Sequence, residues 1–210
     1  MPSFDYENKF IKMFGQGCVG VDEVGRGCLA GPVVACCAYL MLNIPKEILN
    51  LLNDSKVISA KKRQKIVEVL PQYCYYEIAE VSADIIDEIN ILQASLLAMQ
   101  KAFLGLHQKL LDNKIEVNNI LIDGNKGFSA LIKTHNIVDG DAKSFSIAAA
   151  SILAKVYRDE LMKKLGAEYP AYLWHKNAGY GTKDHLFALQ THGVTKHHRK
   201  TFAPVKKLLV

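Results

Sequence analysis

The sequence predicts a mixed α/β fold, in which helices flank a five-stranded sheet and a small helical appendage follows at the C-terminus. Short apolar runs rich in β-branched and aromatic residues alternate with longer segments whose apolar residues recur at helical spacing. The first two apolar runs follow each other closely, which is typical of a hairpin-like pair. We expect residues 1–165 to form the main domain and residues 166–210 a basic helical extension packed on it, as a single structural unit.

Each predicted element has its own signal in the sequence. Ser59, Ser82 and either Ser144 or Ser146 precede helical patterns and are typical N-caps. The longest helical pattern shows apolar residues three or four positions apart between 92 and 110. The predicted strands lie at 17–23, 31–42, 73–81, 119–122 and 137–138. The predicted helices lie at 4–14, from Ser59 to 70, after Ser82, at 90–111, from Ser144 or Ser146 to 165, at 182–192 and at 203–209.

The composition of the 210 residues is that of an ordinary soluble globular protein. Half of the residues are apolar and 22% are charged, which excludes a disordered or fibrous chain. The sequence has no uninterrupted 18-residue apolar span and no signal-peptide pattern, so we expect a cytoplasmic protein with no membrane partner. Its five cysteines lack metal-binding or redox spacing and are expected to be reduced and structural. Nothing calls for a dimer, and we expect a monomer.

Positive charge concentrates at the C-terminal end of the chain. Residues 171–210 contain seven Lys or Arg and one acidic residue, Asp184, whereas the whole chain has a net charge of only +5. Tyr172, Trp174 and Tyr180 are interleaved with these cations. This pattern favours a nucleic-acid partner over the alternative of a solvated basic tail.

Acidic residues stand just past several strand patterns. The four candidates are Asp22, Glu23, Asp123 and Asp141. In open α/β sheets functional groups gather where strands end, so the four could meet at one site. A lone Asp in such a place is usually a turn former or a helix cap, which leaves a structural role open for each. Because neighbouring strand residues point to opposite faces, Asp22 and Glu23 share a site only where the regular strand stops, as Gly25 and Gly27 would allow.

The ligand types indicate a hard divalent cation. The histidines lie far away in sequence and no cysteine spacing suits zinc, so oxygen ligands remain, and these suit Mg²⁺ or Mn²⁺. Such ions act mainly on phosphates, which predicts metal-assisted phosphoryl transfer or phosphodiester hydrolysis. Asp159 is excluded from the site because it would lie roughly 20 Å along the helix that begins near Asp141. We expect a structural salt bridge or a cap at Asp159.

Gly25, Gly27 and Ala30 also fit a relaxed dinucleotide-binding fingerprint. That motif needs a helix directly after its glycines, whereas a strand pattern follows here. Two acids also precede the glycines, where they would repel a pyrophosphate. We therefore reject a dinucleotide-binding site.

Five motifs follow one another between residues 17 and 205. They are Val21-Asp22-Glu23-Val24-Gly25-Arg26-Gly27, Asp54-Ser55-Lys56, Ile122-Asp123-Gly124-Asn125, Gly140-Asp141-Ala142-Lys143 with the serine-alanine segment 146–159, and Gly179-Tyr180-Gly181-Thr182 through His198-Arg199. Together these motifs closely resemble the bacterial type 2 ribonuclease H family. The acid pair with Gly-Arg-Gly and the serine-alanine helix are the most specific of them.

This resemblance implies a ribonuclease H-like catalytic domain that cuts the RNA strand of RNA–DNA hybrids. It also implies nicking on the 5′ side of single ribonucleotides embedded in duplex DNA, which leaves a 3′-hydroxyl and a 5′-phosphate. Two metal ions, Mg²⁺ or Mn²⁺, would be bound by Asp22, Glu23, Asp123 and Asp141. The strand-end argument selects the same four residues.

The resemblance assigns substrate contacts as well. The backbone of Gly25, Arg26 and Gly27 would contact the 2′-hydroxyl, the group that distinguishes RNA from DNA. Tyr180 would stack on the next, deoxy sugar. Phosphate contacts are expected from Lys56, Lys143 and Arg199.

Two other functions stay open from the residues alone. One is a different two-metal nuclease or nucleotidyl transferase built on a similar sheet, and the other is a non-catalytic nucleic-acid-binding module whose acids only cap turns. The Tyr180 loop also departs from the family pattern, because Ala178 stands where Lys is usual. This loop therefore lacks one expected cation.

Overall fold

A five-stranded mixed sheet forms the centre of the structure, a computed structural model that describes residues 1–15, 17–52 and 58–209. The strands are β1 (Cys18–Val24), β2 (Val33–Leu40), β3 (Cys74–Val81), β4 (Asn119–Asp123) and β5 (Lys133–Ile137). Their order in the sheet is β3-β2-β1-β4-β5. Strands β1, β2 and β3 pair antiparallel, whereas β1, β4 and β5 pair parallel. The predicted fold class, with its early antiparallel pair, is confirmed.

Helices cover both faces of this sheet. They are α1 (Asp5–Phe14), α2 (Lys46–Leu49), α3 (Ala60–Val69), α4 (Ala83–Asp112), α5 (Phe145–Glu168), α6 (Trp174–Asn177), α7 (Lys183–His192) and α8 (Ala203–Lys206). Alternate residues of β2 belong to two hydrophobic clusters: Val33 and Cys37 pack with α4, while Val34 and Cys36 pack with α5. The helices α4 and α5 therefore bury opposite faces of the sheet.

Helix α5 lies very close to β1. A Cβ atom added at Gly20 would collide with the backbone of Ser146, so glycine at this position lets the helix cross the strand. Ser144 is the N-cap, and its hydroxyl accepts a hydrogen bond from the N–H of Ile147 at 3.2 Å. Of the two serines proposed as caps, Ser144 is thus the one used. The packing brings the first turns of α5 against the strand that carries Asp22.

Helix α4 is broken at Asn90, where φ is 66° and ψ is 164°. The side-chain oxygen of Asn90 accepts hydrogen bonds from the N–H groups of Leu92 and Gln93 at 3.0 and 3.1 Å. It therefore caps the longer second part, which confirms the predicted start of a long helix at residue 90. Length and composition alone would let α4 cross a membrane. Here its apolar residues pack on the sheet, as those of a core helix do.

The position of the last strand differs from the sequence prediction. The pattern placed it at 137–138, whereas β5 is Lys133–Ile137. Because β5 is an edge strand, it buries only Ile137, and no apolar run marks it in the sequence. The predicted loop Asp54-Ser55-Lys56 lies outside the described residues.

The segment after α5 packs on the loop between β1 and β2. Tyr172, Trp174 and Val205 form an apolar cluster with Leu29 and Ala30 of that loop. This packing holds the C-terminal segment against the residues that follow the Gly-Arg-Gly motif. All five cysteines are buried and free of disulfides, as the sequence predicts.

Candidate active site

The sheet places the four acidic candidates at the carboxyl ends of its parallel strands or just beyond them. In the parallel pair of β1 and β4, Val21 lies opposite Ile122, so Asp22 and Asp123 follow at neighbouring strand ends. Both side chains lie on the face that α5 covers, because Val21 and Ile122 point to the α4 face. Asp141 lies in the 3₁₀ turn Gly140–Ala142, which leads from β5 into α5. The carboxylates thus come from β1, β4 and the entrance to α5.

Short hydrogen bonds fix parts of this arrangement. The N–H of Gly140 donates to Oδ1 of Asp123 at 2.6 Å, which ties the end of β4 to the turn that holds Asp141. The N–H of Glu23 donates to Oδ1 of Asp22, also at 2.6 Å. Both acids at the strand ends are therefore held by backbone donors.

The other three acids lie close enough to Asp22 for their charges to act on it. Burial raises the pKa of Asp22 well above its usual value, and the charges of Glu23, Asp123 and Asp141 raise it further. A hydrogen bond from Ser151 of α5 opposes this shift in part. The pKa of Glu23 is also raised, mainly by burial, although Arg26 opposes the rise. An ionised cluster of this kind is unfavourable without a cation nearby.

One expectation about the acid pair is wrong. Strand β1 does not stop at the pair but stays paired with β2 through Val24, so Asp22 and Glu23 begin on opposite faces of the strand. Glu23 is instead paired with Arg26, whose Nη1 donates to Oε1 at 3.1 Å. In the part of the chain that the structure describes, no three His, Cys, Asp or Glu side chains stand ready to hold a metal ion.

The donor set nevertheless fits a hard divalent cation by its chemistry. All four side chains offer carboxylate oxygens, the ligands that Mg²⁺ and Mn²⁺ prefer. Asp22 and Asp141 are only 6% and 5% exposed, and the buried like charges raise the pKa of Asp22. A bound cation would relieve this repulsion. By their chemistry, these four residues are therefore the ones that would hold a metal ion.

The Gly-Arg-Gly turn begins where β1 ends. Gly25 has a φ of 91°, a conformation that side chains other than glycine rarely adopt. A Cβ at Gly25 would also collide with the guanidinium of Arg158 from α5. Both constraints require glycine at the start of the turn.

Arg199 is fully buried beneath this turn, which contradicts the expected phosphate contact. Its guanidinium donates to the carbonyl oxygens of Gly25 at 2.7 Å and Arg26 at 2.8 Å, and to Gly31 at 3.0 and 3.1 Å. Burial lowers the pKa of Arg199 to about 10, so the group stays charged at neutral pH. Because its donors face backbone carbonyls, Arg199 supports the turn and does not reach a substrate.

This support sets the direction of the backbone amides. In a trans peptide the C=O and N–H bonds point in opposite directions. The carbonyls of Gly25 and Arg26 point inward to Arg199, so the N–H groups of Arg26 and Gly27 point outward. These two N–H groups donate no hydrogen bond within the described residues. The exposed side of the turn therefore presents two free donors.

Tyr180 lies next to the same turn. A Cβ added at Gly27 would be 3.9 Å from Cε1 of the Tyr180 ring, which is 43% exposed. Burial raises the pKa of the phenol, and neighbouring Cys28 raises it further. The phenol therefore stays neutral at physiological pH.

The loop before Tyr180 is tied to the rest of the site through its carbonyls. The carbonyl of Ala178 accepts a hydrogen bond from Nη1 of Arg158 at 2.9 Å. The carbonyl of Gly179 accepts one from the N–H of Leu29 at 2.7 Å. Arg158 also donates to the carbonyl oxygens of Ala30 and Pro32. One buried guanidinium thus connects the Tyr180 loop to the segment that follows the Gly-Arg-Gly turn.

The remaining candidates lie at the edge of the site or outside the described chain. Lys143 is exposed two residues after Asp141, and its Nζ donates to the carbonyl of Val138 at 2.7 Å. Its phosphate contact stays a prediction, as does that of Lys56, which lies outside the described residues. Asp159 pairs with Lys155 at 2.6 Å and with Arg63 at 3.7 Å, which confirms its structural salt bridge.

Sequence reasoning missed two residues that shape the site. Ser151 bonds Asp22, and Arg158 braces two loops from within α5. A serine and an arginine inside an otherwise apolar, alanine-rich segment are the available signal, because a buried polar group needs a partner. The partners themselves come from distant parts of the chain and are not readable from the pattern.

Comparisons with known proteins identify the family of the chain. The profile of the family described as Ribonuclease HII matches residues 19–205. The chain is 42% identical to the ribonuclease HII of Wolbachia pipientis subsp. Culex pipiens (strain wPip) over 207 residues, which cover 99% of this chain and 98% of the relative. It is 50% identical to the ribonuclease HII of Magnetococcus marinus over 192 residues, which cover 90% and 86% of the two proteins.

Two solved structures share the fold. The ribonuclease H2 from Pyrococcus horikoshii OT3 aligns with a TM-score of 0.72 at 23% identity, covering 92% of this chain and 97% of that chain. Bst-RNase HIII in complex with Mn²⁺ aligns with a TM-score of 0.73 at 20% identity, covering 92% and 69%. By the extent of the profile match and the identity to its relatives, the chain belongs to the ribonuclease HII family.

Proposed function

We propose that this protein nicks duplex DNA on the 5′ side of single embedded ribonucleotides, in addition to cutting the RNA strand of RNA–DNA hybrids, and leaves a 3′-hydroxyl and a 5′-phosphate. Ribonuclease H-type endoribonuclease activity is the family's activity, and the chain is a hydrolase of that type. The observation that supports the finer specificity is the position of the Tyr180 ring beside the Gly-Arg-Gly turn. Gly27 and the Tyr180 ring form one surface, and the acid pair directly precedes the turn.

The turn and the tyrosine suit the recognition of a ribose followed by a deoxyribose. The outward N–H groups of Arg26 and Gly27 can donate to a 2′-hydroxyl, which a deoxynucleotide lacks. The neutral, half-exposed ring of Tyr180 can pack against a sugar without a 2′-hydroxyl. Recognition of both groups together would select the junction between one ribonucleotide and the DNA that follows it.

The proposal includes two divalent cations, Mg²⁺ or Mn²⁺, bound by Asp22, Glu23, Asp123 and Asp141. Ribonuclease H enzymes depend on divalent metals, and Bst-RNase HIII has been solved with Mn²⁺. When bound, such ions would supply an activated water and charge stabilisation for the leaving oxygen. The carboxylates themselves would supply the ligand oxygens. No side chain needs to act as the nucleophile.

Substrate affinity is proposed to come from the exposed cations around the site. Lys143 stands at the entrance to α5, Lys56 belongs to the Asp-Ser-Lys motif, and the C-terminal segment is rich in Lys and Arg. Such contacts add affinity and salt dependence but little specificity. A monomeric, cytoplasmic protein completes the proposal, and the five free cysteines suit a reducing compartment.

One assay tests the proposal against its alternatives. The protein is incubated with duplex DNA carrying one ribonucleotide, with an RNA–DNA hybrid and with an all-DNA duplex, each with Mg²⁺, with Mn²⁺ or with EDTA. We expect metal-dependent nicking of the first two substrates and none of the third. Cutting of all-DNA duplex would indicate a different two-metal nuclease, and binding without cutting would indicate a non-catalytic module. Cleavage of the hybrid alone would overturn the single-ribonucleotide specificity.

A further inference from the structure

Two fully buried histidines, His185 and His198, connect the C-terminal segment to the Tyr180 loop. Nδ1 of His185 lies 2.9 Å from the carbonyl oxygen of Tyr180, and its Nε2 lies 3.1 Å from Nε2 of His198. The indole N–H of Trp174 donates to the same Nε2 of His185 at 3.1 Å. On the far side, the N–H of Thr195 donates to Nδ1 of His198 at 3.0 Å. A continuous chain of hydrogen bonds therefore runs from Thr195 to Tyr180.

The groups at the two ends of this series of hydrogen bonds determine which ring nitrogen of each histidine carries the proton. A carbonyl oxygen only accepts, so His185 carries its proton on Nδ1 and donates to Tyr180. A backbone N–H only donates, so Nδ1 of His198 is an acceptor and its proton is on Nε2, from which it donates to His185. Burial lowers the pKa of His198 to about 3 and lowers that of His185. Both rings are therefore neutral at physiological pH, as this arrangement requires.

The carbonyl of Tyr180 is held on both sides. It accepts a second hydrogen bond, from the N–H of Thr182 at 2.8 Å, and Thr182 is the N-cap of α7. His185 lies in the first turn of the same helix. The peptide group of Tyr180 is thus anchored to the start of α7, while its ring extends to the surface beside Gly27.

We propose that His185 is a positioning residue for Tyr180: its donation from Nδ1 to the Tyr180 carbonyl holds the aromatic ring beside Gly27, where it selects the sugar that follows a ribonucleotide. His198 acts one step further away, because it and the indole N–H of Trp174 both donate to Nε2 of His185 and so hold it in the tautomer that donates from Nδ1. This inference rests on the proposed function and specifies how that site keeps its selective side chain in place.

Packing alone is the alternative role for these histidines. Both rings contact the rings of Tyr172 and Trp174 with centroid distances between 4.9 and 6.1 Å, so they also fill the C-terminal core. Packing, however, needs only the shape of the ring and not its donation to Tyr180. Substitutions that keep one set of contacts and remove the other therefore separate the two roles.

Replacing His185 by glutamine or by asparagine separates the donation to Tyr180 from the contacts of Nε2. A glutamine amide reaches the position of Nε2 and can keep a partner for Trp174 and His198, but it leaves the Tyr180 carbonyl without its histidine donor. An asparagine amide stands near Nδ1 and can keep the donation to Tyr180, but it loses the Nε2 contacts. The readout is kcat/KM on duplex DNA with one ribonucleotide, divided by kcat/KM on a long RNA–DNA hybrid. Thermal unfolding and the fluorescence of the single Trp174 report folding.

We expect His185→Gln to lower this ratio by about fivefold to tenfold, the size that corresponds to one lost buried hydrogen bond. His185→Asn should keep the wild-type ratio although it lowers the melting temperature. In a Tyr180→Ala background, His185→Gln should change the ratio no further, because the ring that it positions is gone.

A wild-type ratio in a folded His185→Gln protein, or equal losses in the Gln and Asn variants, would overturn the inference. If His185→Gln does not fold, His185→Phe replaces it, since this change keeps an aromatic ring in the core and removes the donor to the Tyr180 carbonyl. A lower ratio in His185→Phe then supports the inference, and an unchanged ratio overturns it. Wild-type protein that does not nick at a single ribonucleotide overturns the proposed function, and this inference with it.

Discussion

Nη2 of Arg199 donates a hydrogen bond to the carbonyl oxygen of Gly25 at 2.7 Å, although 174 positions separate the two residues along the chain. A side chain from the last part of the sequence thus binds the inner side of the turn that follows β1. Because the guanidinium binds the carbonyls on the inner side, the amides of Arg26 and Gly27 point outward, to the surface where we propose that the substrate binds. A residue near the C-terminus therefore determines which groups the Gly-Arg-Gly turn presents.

Replacement of Arg199 by lysine should weaken both the fold and the activity. One ammonium group cannot donate to three carbonyl oxygens in fork geometry, so at least one buried carbonyl loses its partner. We expect the free energy of unfolding to fall by about 2–3 kcal/mol, measured by urea denaturation. Nicking at a single ribonucleotide should fall more than the binding of duplex DNA.

Lys196→Met provides the control for that experiment, because it removes a nearby cation that is exposed. Its stability should stay within about 0.5 kcal/mol of the wild type. If Arg199→Lys were as stable and active as Lys196→Met, the bracing role of Arg199 would be wrong.

The fold was largely predictable because its central strands and helices carry strong local signals. The apolar runs around β1, β2 and β4 are buried on both faces, and Ser59 and Ser144 cap helices where the pattern predicts them. β5 lacked such a signal, because an edge strand that buries only Ile137 needs no apolar run. Tertiary pairing with β4, and not local sequence, defines that strand.

Because neighbouring carboxylates repel the charge of Asp22, we expect a neutral residue at this position to stabilise the folded protein. Asp22→Asn should raise the free energy of unfolding by about 1 kcal/mol at pH 8 in EDTA, the size common for relief of strain at a functional site. Activity should be lost at the same time. The reason is that Asp22 is buried beside Glu23 and Asp123, which disfavour its ionised form.

The pH dependence gives this prediction its sign. The pKa of Asp22 is raised in the folded state, so the folded protein binds this proton more tightly than the unfolded chain. The free energy of unfolding of the wild type therefore falls as pH rises from about 4, the usual Asp range, through the raised value. The advantage of Asp22→Asn should be largest above that window and should shrink toward pH 4. An advantage that grows as pH falls would contradict the raised pKa.

Divalent cations should stabilise the wild-type protein in the absence of substrate. A ligand that binds only the folded state raises the melting temperature, and relief of the buried like charges favours such binding. We expect Mg²⁺ or Mn²⁺ at millimolar concentration to raise the melting temperature of the wild type by a few degrees. The Asp22→Asn variant should show a clearly smaller rise, and NaCl at equal ionic strength should have little effect on either protein. Equal shifts in both proteins would place the cation elsewhere.

Asp123→Asn should abolish turnover and leave duplex binding measurable. Asparagine keeps an oxygen that can accept the hydrogen bond from Gly140, so the strand end stays in place while the charge is lost. Asp139→Asn is a matched control, because Asp139 is exposed and has a φ of 54°, which asparagine tolerates. Nicking assays and gel-shift binding compare the two variants. Normal turnover in Asp123→Asn would remove this residue from the proposed metal site.

The sequence indicates where the acids of the candidate site lie in the fold, but not which residues support them. Asp123 ends β4, whose apolar run marks that end in the sequence, and Asp141 lies in the turn between β5 and α5. The inward roles of Arg158 and Arg199 depend on carbonyl oxygens that only the folded chain brings near them. A charge pattern cannot distinguish a cation that faces solvent from one that is buried under a turn, so Arg199 was assigned to the wrong partner.

Substitution of Tyr180 tests whether the exposed ring selects the substrate. Tyr180→Ala removes the aromatic face beside Gly27 but keeps the backbone carbonyl that His185 and Thr182 hold, so the loop should keep its conformation. We expect cleavage at a single ribonucleotide to fall by about tenfold or more, the size of one lost stacking contact, while cleavage of a long hybrid falls much less. Tyr180→Phe keeps the ring and should retain most of the preference, since a phenyl face packs against a sugar as a phenol does. Equal losses on both substrates in the alanine variant would mean that Tyr180 supports the loop and does not select the sugar.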